Sequence, residues 1–425
     1  MKKWRMWAVI FCAMALAACG GGKSPTKDET SKTSEMVTME ETTTEETVSS
    51  LPSERETGMT HPIDFAEGMK IVPEEARLTR TTYDLPAMLD ETHEIHYGGP
   101  LTRGKIEVSI DLIDDPGDGR PADHRLSSVG YYDLEEKKIV VVAETEREPY
   151  SNSNARQDML FPMDEEHILY MDQNEDEVIY SIYTIADGTL TELARFQRGE
   201  RMLEPTPYAD GKRIYLVAEE NGQDIVHVYD AKTHEKLRTI EGYDMARSRK
   251  DREVLGRTFR VDGEHWTDEL LVDDVLHNWE SKKGEHLMDY GVGNGDAVYA
   301  LTRYDKSDAL KEDFTEDDRK DLEENIIVPY FELTDLDTGR VFARERGEHL
   351  LMSTSQSWVA LWRDMGEDRT TKYLLLPEAD EVVRITTGKP TAGFYLLPYE
   401  RYGVMKEYRE EQRDSVTVHV FEPAK

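Results

Sequence analysis

Residues 225–242, IVHVYDAKTHEKLRTIEG, read as a strand, a polar turn and a second strand closed by glycine. Apolar side chains fall at Val226, Val228, Leu237 and Ile240, the two-residue period that a pleat imposes on a half-buried face. The same shape returns at 178–199, 275–291, 328–347 and 372–388. Its closing glycines stand at 199, 242, 291, 347 and 388, with spacings of 43, 49, 56 and 41. A lone two-stranded hairpin is barely stable in water, so units like these must stack their apolar faces on one another.

A repeat of about 40–50 residues made of short strands is the pattern of propeller blades. The expected fold is therefore all-β, a β-propeller of about seven four-stranded blades filling residues 61–425, with six or eight also compatible. Strands are expected from residue 105 onward, with a hairpin turn at Glu135 and Glu136 and HILYMDQ (167–173) as the inner strand of its unit. The last unit ends in SVTVHVFEP and lacks a following outer strand. In closed propellers the other end of the chain supplies such a strand, so something within 63–110 must serve. Residues 71–75 look strand-like, and 85–89 suggest a helical turn. Two helix-compatible insertions are expected, at 267–279 and at 305–325, the second with Thr315 and Asp318 at capping-box spacing. They either carry a partner surface or cap blade edges.

The chain begins with Lys2, Lys3 and Arg5, followed by an apolar run over 7–18 that is too short to span a bilayer. It ends in Leu16-Ala17-Ala18-Cys19-Gly20, which resembles the lipobox of bacterial lipoproteins. The resemblance implies a signal peptide over 1–18, cleavage before Cys19, diacylglycerol on its thiol, and an extracytoplasmic place on the cell membrane. Cys12 would leave with the signal, so the mature chain would hold no disulfide. Residues 19–60 are rich in Thr, Ser and Glu and nearly free of large apolar groups, which reads as an extended, disordered tether.

Lys and Arg number 52 against 88 Asp and Glu, a formal net charge of −36. Such a field opposes nucleic acid and suits a saline or alkaline exterior. One stretch runs against it: Arg247, Arg249, Lys250, Arg252, Arg257 and Arg260 lie within fourteen residues. They either receive an acidic partner or anionic glycan, or pair internally with nearby carboxylates.

The turn Asp335-Leu336-Asp337-Thr338-Gly339 resembles the D-x-x-T-G of PQQ-like and YVTN-type propeller repeats, relatives in plan of the WD40 ring. Asp230-Ala231-Lys232-Thr233-His234 is similar, with histidine in the glycine place. This resemblance implies the fold and no quinone. Envelope lipoproteins that scaffold membrane-protein assembly share the plan of lipobox, tether and propeller.

No nucleophile elbow or His-Glu-x-x-His helix is present, and no catalytic residue, metal ligand or cofactor site is assigned. Within His93-Glu94-Ile95-His96 the two imidazoles share a side only in a helix or turn. Residues 291–295, GVGNG, read as a repeat-boundary turn rather than a dinucleotide loop. The acidic loop 111–123, with Asp111, Asp114, Asp115, Asp118 and Asp123, is the calcium candidate, off the spacing of a helix-loop-helix site. Trp358 and Trp362 read as packing groups. The leading expectation is a membrane-anchored scaffold that binds an envelope protein or glycan. An envelope enzyme or a small-ligand receptor with a site in the channel is the alternative.

Overall fold

The structure is a computed structural model. It describes residues 63–424 apart from 115–122, 146–156, 175, 198–206, 250–251, 263–264, 294–296, 306–329, 347–349, 356–357, 364–368 and 409–414. The chain opens with three strands, β1 (Asp64–Phe65), β2 (Lys70–Pro73) and β3 (Leu78–Pro86). Blade 1 follows as β4 (His93–Thr102), β5 (Lys105–Asp114), β6 (Asp123–Asp133) and β7 (Lys138–Glu144). Blade 2 is β8 (Gln157–Pro162), β9 (His167–Gln173), β10 (Glu177–Thr184) and β11 (Thr189–Gln197). Blade 3 is β12 (Tyr208–Ala209), β13 (Arg213–Glu220), β14 (Gln223–Asp230) and β15 (Lys236–Glu241). Blade 4 is β16 (Met245–Arg249), β17 (Arg252–Arg260), β18 (Trp266–Val272) and β19 (Val275–Glu280). Blade 5 is β20 (Glu285–Val292), β21 (Val298–Tyr304), β22 (Tyr330–Asp335) and β23 (Val341–Arg346). Blade 6 is β24 (Leu350–Thr354), β25 (Val359–Arg363), β26 (Thr371–Leu376) and β27 (Glu381–Thr386). Blade 7 has β28 (Thr391–Leu396), β29 (Gly403–Glu407) and β30 (Ser415–Pro423).

Every blade is an antiparallel meander, and the first strand of each adjoins the first strands of both neighbours, β28 adjoining β4. The result is a closed seven-bladed propeller. Seven apolar clusters hold it together, one at each junction between blades. Blade 7 takes its fourth strand from the start of the chain: β3 pairs antiparallel with β30 over nine residues, from Leu78 opposite Pro423 to Pro86 opposite Ser415.

The two preceding strands add a fifth strand to the outside of two more blades. β1 pairs antiparallel with β23, and β2 pairs parallel with β27. Residues 63–86 thus form a strap over blades 5, 6 and 7, while β7, β11, β15 and β19 keep open outer edges in the described residues.

Four of the five hairpins expected from the sequence form as third and fourth strands of a blade. The turn at 335–339 shows why they are legible. Asp335 Oδ1 accepts the amide of Asp337 at 2.9 Å, and Thr338 donates its hydroxyl to Oδ2 at 2.8 Å. Gly339 then closes the turn at φ +70°, a region favouring glycine. His234 holds the equivalent place at φ +60°.

Several expectations need correction. The hairpin expected over 275–291 straddles two blades, β19 closing blade 4 and β20 opening blade 5. HILYMDQ is the second strand of its blade, and the inner strand is β8. Residues 267–279 are two strands joined at Asp273 and Asp274, both at positive φ, and not a helix. Leu85 belongs to β3, so no helical turn forms at 85–89. Helix among the described residues is confined to short 3-10 turns such as Glu74–Ala76, Ser281–Lys283 and Pro377–Ala379. Residues 306–325 of the acidic insertion lie outside the described residues.

Candidate functional site

In β4 and β5 successive side chains point to opposite faces. Ile95, Tyr97, Ile106 and Val108 pack toward blade 7 with Val404 and Val418. Glu94, His96, Glu107 and Asp111 therefore face blade 2. Across that junction Leu160, Ile168 and Tyr170 meet Leu126, Val129 and Tyr131, and Asp158 shares the face of Leu160. This junction thus combines an apolar cluster with a set of polar side chains on the same faces of its strands.

The register places Glu94 opposite Asp111. His96 sits beside both: its Nε2 lies 3.3 Å from Oδ2 of Asp111 and 3.8 Å from Oε2 of Glu94. Asp111 is buried, whereas His96 remains about one-third exposed. Two stretches that looked separate in the sequence, 93–96 and 111–123, thus converge at the start of β4 and the end of β5. Asp158, also buried, accepts the hydroxyl of Tyr170 at 3.0 Å.

Glu107 stands opposite a bulge in β4, between the pairs Tyr97 with Val108 and Pro100 with Ile106. The bulge carries Gly98 and Gly99. A Cβ on Gly98 would collide with Oε2 of Glu107, so glycine opens the inner strand to let this carboxylate lie across it. A Cβ on Gly99 would press on Tyr395 of β28 at 3.3 Å. The Glu107 carboxylate accepts backbone amides of Leu160 and Gly99, and the Lys406 ammonium, which donates to the Tyr97 carbonyl, lies in its field. Burial outweighs these and pushes Glu107 up to about 7, while burial lowers Lys406. The seam thus offers an imidazole bracketed by carboxylates, near a carboxyl able to exchange a proton around neutrality. Such a wall can bind a cationic or hydrogen-bond-donating group and can hold a proton at Glu107.

His93 lies on the opposite face of β4, bonded to Asp90 at 2.9 Å, so the two histidines of the stretch share no ligand. Among the described residues no group of three or more His, Cys, Asp or Glu is arranged to hold a metal ion. Of the calcium candidates, Asp111 and Asp114 belong to β5 and Asp123 to β6; Asp115 and Asp118 lie outside the described residues. Gly291 ends β20 against Thr354, and Asn294 and Gly295 lie outside the described residues. Trp358 and Trp362 are buried in the junction of blades 6 and 7.

The basic cluster is spread along two strands. Arg247, on β16, reaches Asp289 at 3.1 Å, donates to the Tyr290 carbonyl and covers the Tyr290 ring at 4.7 Å. Arg252 pairs with Asp273 at 2.9 Å and with Asp337 of the next blade. Arg257 pairs with Glu269 at 2.5 Å. Arg249 ends β16, Lys250 lies outside the described residues, and Arg260 is exposed at the far end of β17. Beside them sits a carboxyl that composition did not flag: Asp244 accepts the Thr258 amide at 3.2 Å, and burial pushes it up to about 7. Sequence reasoning also passed over Glu107 and Lys406. Their signal was the Gly98-Gly99 pair inside a strand, which marks a close approach.

No protein-family model matches the sequence, and no curated protein does. Similarity to solved structures exists at the level of fold. The β-propeller domain of the Trilobed protease from Pyrococcus furiosus matches with 10% identity and a TM-score of 0.47, over 80% of this chain and 97% of that one. Pyrococcus horikoshii acylaminoacyl peptidase matches with 11% identity and a TM-score of 0.44, over 76% of this chain and 50% of the peptidase. Oligogalacturonate lyase in complex with manganese matches with 12% identity and a TM-score of 0.41, over 84% and 98%. This chain thus spans about half of the acylaminoacyl peptidase.

Proposed function

We propose that this chain is a lipid-anchored extracytoplasmic propeller that binds an envelope protein or glycan and serves as a scaffold. The observation that supports this reading is the inequality of the two ends of the ring. At one end the turns between first and second strands, and between third and fourth, run to no more than six residues. At the other end β7, β11 and β21 finish, each followed by ten or more residues of sequence before the next strand, and Glu94, His96 and Asp111 lie toward that end. Partner surfaces on repeat folds gather on one such face. Diacylglycerol on Cys19 would hold the ring at the cell membrane, and Arg247, Arg249, Lys250, Arg252, Arg257 and Arg260 stay as candidate partner contacts, Arg260 being the most accessible of those described. The turn at 335–339 favours blades of the PQQ-like and YVTN type.

A second reading, an envelope enzyme or glycan receptor, draws on one feature: the pairing of His96 and Asp111 close to a carboxyl held near neutrality. Crosslinking and pull-down from intact membranes separates the two. The scaffold reading expects one stoichiometric partner, lost on deletion of 306–325 or neutralisation of Arg260, and release of the protein from membranes in Cys19→Ala. Recovery of no partner at any crosslinker length would overturn it and leave glycan screens against His96→Ala as the next step.

A further inference from the structure

The strap differs from the ring it covers in how firmly each part is held. β1 contributes two paired residues, fastened by Ile63, buried among the side chains of blades 5 and 6, and by the Phe65 ring, 5.1 Å from Tyr373. β2 contributes four pairs with little burial, and Ile71 is 62% exposed. Just after it, Arg77 grips Glu381 of β27 through two bonds of 2.5 and 2.7 Å, and Arg80 donates to the Thr386 carbonyl at 3.0 Å. β3 contributes nine pairs and buries Leu78 and Leu85 in two different junctions. Paired residues rise along the chain, from two to four to nine, while burial is least at β2 and greatest at β3. Chain order also requires that a pull on the N-terminal side reaches β1, then β2, then β3.

We infer that the strap is a graded clasp: β1 and β2 leave the outer edges of blades 5 and 6 one after the other while β3 stays paired and keeps the ring closed. Local opening follows local contact, and β1 and β2 have the least of it. Tension on the N-terminus is then absorbed as added length before it reaches the closing strand. The inference concerns residues 63–86 and holds whatever Cys19 carries.

Two measurements test it. Amide exchange of the unmodified full chain should find β1 and β2 exchanging at least 100-fold faster than β3 and β30. Exchange of β1 and β2 as slow as that of β30 would overturn the inference. In the second, the chain in a Cys12→Ser, Cys19→Ser background is pulled between its N-terminus and a handle on Lys232→Cys, on blade 3, which the strap does not touch. Two extensions, each of at most roughly 30 Å for seven or eight released residues, should precede any larger event. Adding Asp64→Cys and Arg344→Cys, whose backbones face each other, should abolish both extensions once the disulfide forms, because the load then passes from residue 64 straight into β23. Rupture of strap and ring in a single event would overturn the inference. If that disulfide variant fails to fold, amide exchange of the unmodified chain still decides.

Discussion

The junction between blades 6 and 7 and the junction between blades 1 and 2 occupy equivalent places in the ring and are built of different chemistry. The first buries Trp358, Trp362, Phe394 and Phe421 from the inner strands outward. The second keeps an apolar cluster that includes Leu101, Leu160 and Tyr131 and gives the rest of its face to Glu94, His96, Glu107, Asp111 and Asp158. A propeller has seven junctions and can hold itself together with fewer than seven made fully apolar. A junction that gives part of its face to polar groups is where binding chemistry is affordable, because the apolar clusters of the ring supply the cohesion.

The largest test of that contrast is Phe394→Ala. Phe394 is fully buried with its ring 5.1 Å from Phe421, and its loss should cost about 3–5 kcal/mol in urea unfolding. A cost below about 1.5 kcal/mol would show that this junction is not the cohesive one.

Glu107→Gln should act in the opposite direction. The Glu107 carboxyl has an ordinary value of 4.5 and is pushed up to about 7 in the fold. Between those values the folded chain keeps a proton that the unfolded chain releases, so stability falls as pH rises through the window and stays reduced above it. Glutamine keeps one acceptor oxygen toward the Leu160 and Gly99 amides and carries no charge. The variant should be more stable than the parent by about 1–2 kcal/mol above pH 7, with a flatter profile from pH 4.5 to 7. An unchanged profile would mean that Glu107 is not the group that titrates.

Tyr170→Phe removes the hydroxyl given to buried Asp158 and should cost about 1–2 kcal/mol by thermal or urea unfolding. A neutral result would place that bond in water rather than in the seam. The smallest global effect belongs to Arg77→Ala, at an exposed ion pair. Its midpoint in denaturant should match the parent, and its effect should be read only as faster amide exchange in β2.

The third-and-fourth-strand hairpins were legible because everything they need is local: alternating apolar residues, a turn closed by aspartate, and glycine at positive φ. The inner strands were not. β12 is two residues long, and β8 and β16 are short and partly polar, so their pairing is fixed by neighbouring blades. Residues 275–291 misled because two strands of different blades follow each other at hairpin spacing around the turn Ser281–Lys283. The closing strand was foreseeable as a need and as a region, since β3 lies within 63–110, but not as a particular strand, because nothing in LTRTTYDLP points to a partner at the other end of the chain. The seam was half legible. His96 and Asp111 both stood out as residue types, but only the register of β4 against β5 brings them together.

The closing of the ring also sets a timetable for the chain's own making. Among the described strands β3 is made early and β30 after all the others, and Thr82 meets His419 at a separation of 337 residues. Until β30 has been synthesised, β3 lacks its partner and blade 7 cannot be completed. Nucleation must therefore begin in blades whose strands are all at hand, and ring closure must come late, as the step of highest loop entropy. Through that interval the unpaired strand is the part of the nascent chain most open to wrong pairing, and a chaperone that holds β3 would shorten the route more than one that holds any complete blade.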